Sequence, residues 1–159
     1  MLKNKTGGEL YAGINLSIRE KATTKTMHDQ PVILFDGVCN FCNAGINFII
    51  RQDNKRVFRF AALQSEAGQK LLKKYGLRTE GFQSFILIDR GKVYQKSAAG
   101  LKVYGKLPLF WKWTQLAWIA PPLIRDGIYD WIARNRYKWF GKKEACMIPA
   151  PEVRSRFLM

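Results

Sequence analysis

The sequence predicts an α/β domain in which a mixed sheet carries helices on its faces. Short apolar runs bounded by turn residues read as buried strands. Between them lie stretches whose apolar residues recur at helical spacing. The two kinds alternate as β-α-β, a helix, then β-β-α, so the first half demands a parallel strand pair and the second half an antiparallel one. A helical extension follows from about residue 107. The chain has 159 residues, 47% of them hydrophobic and 25% charged. That is enough for one domain with a core, and it excludes a disordered or fibrous chain.

The first 26 residues hold few apolar side chains and no run long enough for a secretory signal. Residues 1–29 are expected to be a disordered tail, and Met27 would serve as an alternative start. The domain is expected over residues 30–159. Without a signal sequence the expected compartment is the cytosol, where thiols stay reduced.

Val32, Ile33, Leu34 and Phe35, between Pro31 and Asp36-Gly37, form the first strand. Cys42, Ile46, Ile49 and Ile50 then fall on one face of a helix ending near Asp53-Asn54. Val57 to Ala62 is the second strand. Ser65 caps a helix with an apolar face of Leu71, Leu72 and Tyr75, and Gly76 stops it. Phe85 to Ile88 and Val93 to Gln95 flank Asp89-Arg90-Gly91-Lys92 and read as a hairpin. Ser97 is expected to open the next helix. Leu109 to Ile119 and Leu123 to about Trp139 are two further helical stretches, separated by Pro121-Pro122, and they carry all five tryptophans. The stretch from Leu107 to Leu123 is interrupted by Lys112, Gln115 and two prolines, so it does not read as a transmembrane span.

The charge is lopsided, with 27 Lys and Arg against 12 Asp and Glu, a net +15. The excess is spread along the chain, and no basic stripe or nucleic-acid-binding motif accompanies it, so no dedicated nucleic-acid function is expected. One histidine, His28, leaves no two-histidine metal site. Three cysteines are too few for a disulfide scaffold. Gly100 to Leu107 nearly matches a phosphate-binding loop, but Leu107 stands where the magnesium-binding Ser or Thr is needed and Pro108 follows. The aromatic stretch Leu109-Phe110-Trp111-Lys112-Trp113, with Trp118, has the composition of a membrane-surface helix. Packing against the domain is the preferred reading, because an amphipathic aromatic face is ordinarily core.

The informative segment is Asp36-Gly37-Val38-Cys39-Asn40-Phe41-Cys42, at the junction of the first strand and first helix. Exposed amides and aligned peptide dipoles at a helix N-terminus stabilise an anion, so Cys39, in the first turn, is expected to be a low-pKa thiolate. Cys42 lies one turn deeper on the same side and is expected to be the more shielded of the two. Cys39 would then attack a substrate disulfide, and Cys42 would resolve the mixed disulfide. A zinc half-site would need Cys146 and His28 to complete it and has no second CxxC. Two packed structural cysteines in a non-catalytic basic binding module, held to membrane or nucleic acid, are the rival reading. Asp36 could take the proton of Cys42, or it could cap the turn through the Gly37 and Val38 amides; capping is preferred.

DGVCNFC after a strand, then FRFAALQSEAG, SFILID, RNRYKWFG and a downstream Cys146, together resemble the DCC family of thiol-disulfide oxidoreductases, a branch of the thioredoxin-like superfamily. The likeness spans roughly residues 30 to 158. It implies a thioredoxin-like fold and protein-disulfide oxidoreductase activity, with Asp36, Cys39 and Cys42 as the residues of the motif. No bound cofactor or metal is required. The likeness does not imply the physiological substrate; the partners expected from the exchange chemistry are disulfide-containing proteins or small thiols and an upstream thiol reductant. Where thioredoxins place a cis-proline beside the CxxC, this chain has Gln83-Ser84, and Ser84 could hydrogen-bond Cys39 or merely start a strand. Cys146 is expected to be packed and inert.

Overall fold

In the computed structural model, residues 30–80, 85–145 and 148–158 are described. The tail, His28, Gln83-Ser84 and Cys146 lie outside them. The strands are β1 (Val32–Phe35), β2 (Arg59–Ala62), β3 (Ile86–Asp89) and β4 (Lys92–Gln95), in the order β2-β1-β3-β4. β1 runs parallel to β2 and antiparallel to β3, and β3 and β4 form an antiparallel hairpin. The expected mixed sheet is therefore present, and with its helices it has the thioredoxin-like arrangement.

Alternation along β1 sends its neighbours to opposite faces. Ile33 and Phe35 join a core with Ile46 and Ile49 of α1 (Asn40–Gln52) and with Ala99 and Val103 of α3 (Lys96–Lys106). Leu34 joins Leu72 of α2 (Glu66–Lys74) on the other side, with Ala61, Leu63, Ile86 and Ile88. Both faces are covered, so β1 is apolar throughout and β3 is apolar up to its last residue, Asp89. Phe60 is fully buried, and truncating such a residue to alanine costs about 3–5 kcal/mol. Helix α2 lies so close to β2 that a Cβ at Gly68 would fall 2.0 Å from the Ala62 carbonyl oxygen, so only glycine fits there.

The strand ends differ from expectation for identifiable reasons. β2 starts at Arg59, not Val57, because the Val57 and Phe58 amides donate to the Asp53 carboxylate (2.9 and 3.0 Å) and not to a ladder. β3 starts after Phe85, whose amide donates to the Tyr129 hydroxyl at 2.7 Å. The hairpin turn has Arg90 and Gly91 at positive φ (50° and 75°), as a two-residue type I′ connection requires. Ser65 caps α2, accepting from the Gly68 amide at 3.1 Å, and Gly76, at φ 64°, follows its end. Ser97 does not open α3: the helix begins at Lys96 on Gln95, and the Ser97 hydroxyl instead bonds Asp126. Gly100 to Lys106 are helical, which leaves no phosphate-binding loop.

Leu109–Ile119 is helical but coiled as a 3₁₀ helix, and α4 (Pro122–Phe140) follows with Pro122 as its first residue. A short 3₁₀ turn, Pro151–Arg156, brings the chain back to β2, where the Leu158 amide donates to the Phe60 carbonyl at 2.8 Å. Trp111 packs inward, edge-on to Phe48 with ring centroids 5.0 Å apart, and donates to Gln52 at 3.3 Å. The rest of the aromatic stretch does not follow it. Phe110, Trp113, Leu116 and Ile119 are largely exposed, because a three-residue repeat aligns them in one row, about a third of a turn round from Trp111. No described helix is long and apolar enough to cross a membrane.

Candidate active site

β1 ends at Phe35, and the chain turns through Asp36-Gly37-Val38 into α1. Cys39 is the N-cap of that helix, with extended backbone (φ −82°, ψ 119°), and its Sγ accepts the Cys42 amide at 3.3 Å. Sulfur here fills the place usually taken by a Ser or Asp oxygen. The turn is braced from within, since the buried Asn43 side chain donates to the Gly37 carbonyl at 2.9 Å.

Both cysteines are free thiols, but their shielding is the reverse of the sequence expectation. Cys39 is wholly buried and Cys42 only partly so. The cause is a strap formed by residues 140–143. Cys39 pairs with Lys142 in an antiparallel bridge, and the Lys143 amide donates to the Val38 carbonyl at 2.7 Å. Asn40 donates to the Phe140 carbonyl at 2.9 Å, and the Phe41 ring stacks on Phe140 with centroids 4.9 Å apart. Gly141 makes the strap possible: it sits at φ 77°, ψ 173°, a region open essentially only to glycine.

Cys42 instead borders a mostly apolar cavity of about 290 Å³, whose walls include Phe41, Ile132, Tyr129, Ser97 and Arg136. Burial, together with the hydrogen bond to Cys39, pushes the Cys42 thiol well up from its ordinary value, so it stays protonated at neutral pH.

The centre of the arrangement is Asp36, which is itself buried. Its Oδ1 accepts the Val38 amide at 3.2 Å and the Gln64 side chain at 2.8 Å. Its Oδ2 accepts Arg136 at 2.9 Å and the Tyr137 hydroxyl. The expected cap to Val38 is present, while the Gly37 amide goes to Gln64 Oε1 at 3.1 Å. Arg136 and Asp36 are both almost inaccessible, so this is a buried ion pair. Burial works against the Arg136 charge, but the Tyr137 hydroxyl and the sulfurs of Cys42 and Cys39 outweigh it and hold the guanidinium more firmly charged. Burial and the bond to Asp36 likewise keep Tyr137 a neutral donor.

Asp36, Cys39 and Cys42, the three residues singled out from the sequence, thus meet at one loop. Gln64, Arg136 and Tyr137 were not singled out. They lie inside the FRFAALQSEAG and RNRYKWFG blocks, and no local pattern marks them as partners of a buried carboxylate.

A strand, a CxxC capping the following helix and a four-stranded mixed sheet define a thioredoxin-like protein with a dithiol at its helix N-terminus. The chain belongs to a particular family within that class: residues 33–142 match the DCC1-like thiol-disulfide oxidoreductases. It is 51% identical over 127 residues to the uncharacterized protein YuxK of Bacillus subtilis (strain 168), covering 80% of this chain and 93% of that one. It is also 39% identical over 132 residues to a chloroplastic DCC family protein of Arabidopsis thaliana, covering 81% of this chain and 76% of the relative. No solved structure matches the chain.

Proposed function

We propose that the protein exchanges disulfides with protein clients through Cys39 and Cys42, with Cys39 attacking and Cys42 resolving. The observation that carries this reading is the asymmetry of the pair. The Cys39 sulfur accepts the Cys42 amide at the helix N-terminus, a place that favours an anion, whereas Cys42 is held as the neutral thiol by burial. The Cys39 thiolate attacks one sulfur of a client disulfide, that S–S bond breaks, and the departing thiolate takes a proton from solvent. Cys42 then loses its proton and attacks the Cys39 sulfur, releasing the second client thiolate. The client gains two electrons and leaves reduced, while the protein keeps a Cys39–Cys42 disulfide. A thiol reductant upstream returns those electrons.

Two structural features shape that cycle. The 140–143 strap must lift for a client to reach Cys39, which breaks the Cys39–Lys142 bridge and the Phe41–Phe140 stack. Asp36 acts as a positioning residue, because both of its oxygens are already engaged. It fixes Val38 next to the attacking cysteine and anchors the arginine that offsets its own charge.

Titration of the dithiol against glutathione, with steady-state insulin reduction as the activity assay, tests the reading. The expected result is one reversible two-thiol couple and loss of reduction in Cys39→Ala to the uncatalysed rate. A protein whose thiols stay inert to mild oxidant, or a Cys39→Ala variant that still reduces insulin, would overturn it.

A further inference from the structure

We infer that the outer face of the 3₁₀ helix is a lipid-contacting surface that seats the protein on an anionic bilayer. Phe110, Trp113, Leu116 and Ile119 recur every third residue. At three residues per turn such side chains eclipse one another in a single row. All four are between 65% and 81% exposed, and a cluster of large exposed apolar side chains is informative where a single one is not. Beyond Pro121-Pro122, Ile124, Ile128 and Trp131 of α4 recur about one helical turn apart, each more than half exposed. Exposed apolar rows of this kind mark a place where something else binds.

Charge identifies the occupant. Residues 109–143 carry seven Lys and Arg and only two Asp. Both aspartates are turned to the protein: Asp126 bonds Ser97, and Asp130 pairs with Lys96 at 2.8 Å. Lys112, Arg134, Lys138, Lys142 and Lys143 are exposed. Trp and Lys beside an aliphatic row form the composition of a helix lying in a headgroup layer. A second copy of a chain bearing +15 would be repelled, whereas an anionic headgroup layer would be attracted. The contact is peripheral, since no described helix is long and apolar enough to span.

Flotation of the full chain with phosphatidylcholine vesicles, with and without about 30% phosphatidylserine, tests this at about 0.15 M salt. The expected result is flotation with anionic vesicles, about tenfold weaker with neutral ones, and a blue shift of tryptophan emission on binding. Trp113→Ser combined with Ile119→Ser should weaken flotation at least about tenfold while the reactivity of Cys39 and Cys42 is unchanged, because both positions are exposed and unburdened by packing. No flotation, equal flotation with neutral vesicles, or a double variant that floats like the parent would overturn the inference. So would light scattering that shows a dimer dissolved by the same two substitutions, since the occupant would then be a second copy.

Discussion

Helix α1 is fastened at both ends by a buried arginine from the C-terminal third, and the two ends differ in what else the aspartate holds. At the C-terminal end, Asp53 accepts the Val57 and Phe58 amides and pairs with Arg156, which also donates to the Phe58 carbonyl. A carboxylate at a helix C-terminus is disfavoured by the peptide dipoles, and Arg156 offsets it. The other partners there, among the described residues, are backbone groups and the core ring of Phe60, over which the Arg156 guanidinium lies at 5.0 Å, so the knot is purely architectural. At the N-terminal end, Asp36 holds one amide and three side chains, from Gln64, Arg136 and Tyr137, and the two sulfurs lie beside it. Asp36 thereby ties two separated sequence blocks to a reactive loop. Two equally buried pairs can thus carry different duties, and the neighbours decide which.

Removing one partner of a buried pair strands the other charge at about 3–5 kcal/mol. Arg136→Met and Arg156→Met should each lower unfolding free energy by that order in urea titrations. Their effects on the thiols should separate them. Without Arg136 the Asp36 charge faces the cysteines uncompensated, so alkylation of the dithiol at neutral pH should slow about tenfold, or about 1.4 kcal/mol, while Arg156→Met leaves it unchanged. Equal slowing in both variants would collapse the distinction.

A smaller effect is expected at Gly141. Placing a Cβ at its backbone angles costs about 1–3 kcal/mol, and that Cβ would also crowd the Asn40 side chain at 3.3 Å. Gly141→Ala should therefore loosen the strap and speed alkylation of Cys39 several-fold, with far less effect on Cys42. Mass spectrometry of each cysteine after timed alkylation checks it.

The smallest effect is on pH dependence. The unfolded chain gives up the Cys42 proton near the ordinary value of 9.0, whereas the folded protein keeps it because its value is raised. Above pH 9 the folded state binds the extra proton, so stability contributed by this group is full below that pH and falls as pH rises, by at most about 1.4 kcal/mol per unit. Cys42→Ala should lose less stability than the parent between about pH 9 and 10 in denaturant titrations.

Much of the fold was legible because it rests on local signals. The VILF run, the turn at Arg90-Gly91, the Ser65 cap and the Gly76 stop each state their structure within a few residues. The cysteine-bearing helix N-terminus was legible for the same reason. What failed depended on distant partners. The strap covering Cys39 comes from about a hundred residues downstream, and no local pattern announces a one-residue bridge at Lys142. Val57 and Phe58 have strand composition, but Asp53 claims their amides. The aromatic row misled through its period: 3.6-residue reasoning assigns it to a buried face, and the 3₁₀ winding turns it outward.

The direction of attack is tested most directly by trapping. Incubated with a disulfide-bonded client and analysed by non-reducing mass spectrometry, Cys42→Ser should hold the client covalently at Cys39, because the attacking thiol is kept and the resolving one is gone. Cys39→Ser should hold none. Trapping by Cys39→Ser and not by Cys42→Ser would mean that Cys42, the residue bordering the open cavity, is the nucleophile, and would contradict the assignment of roles.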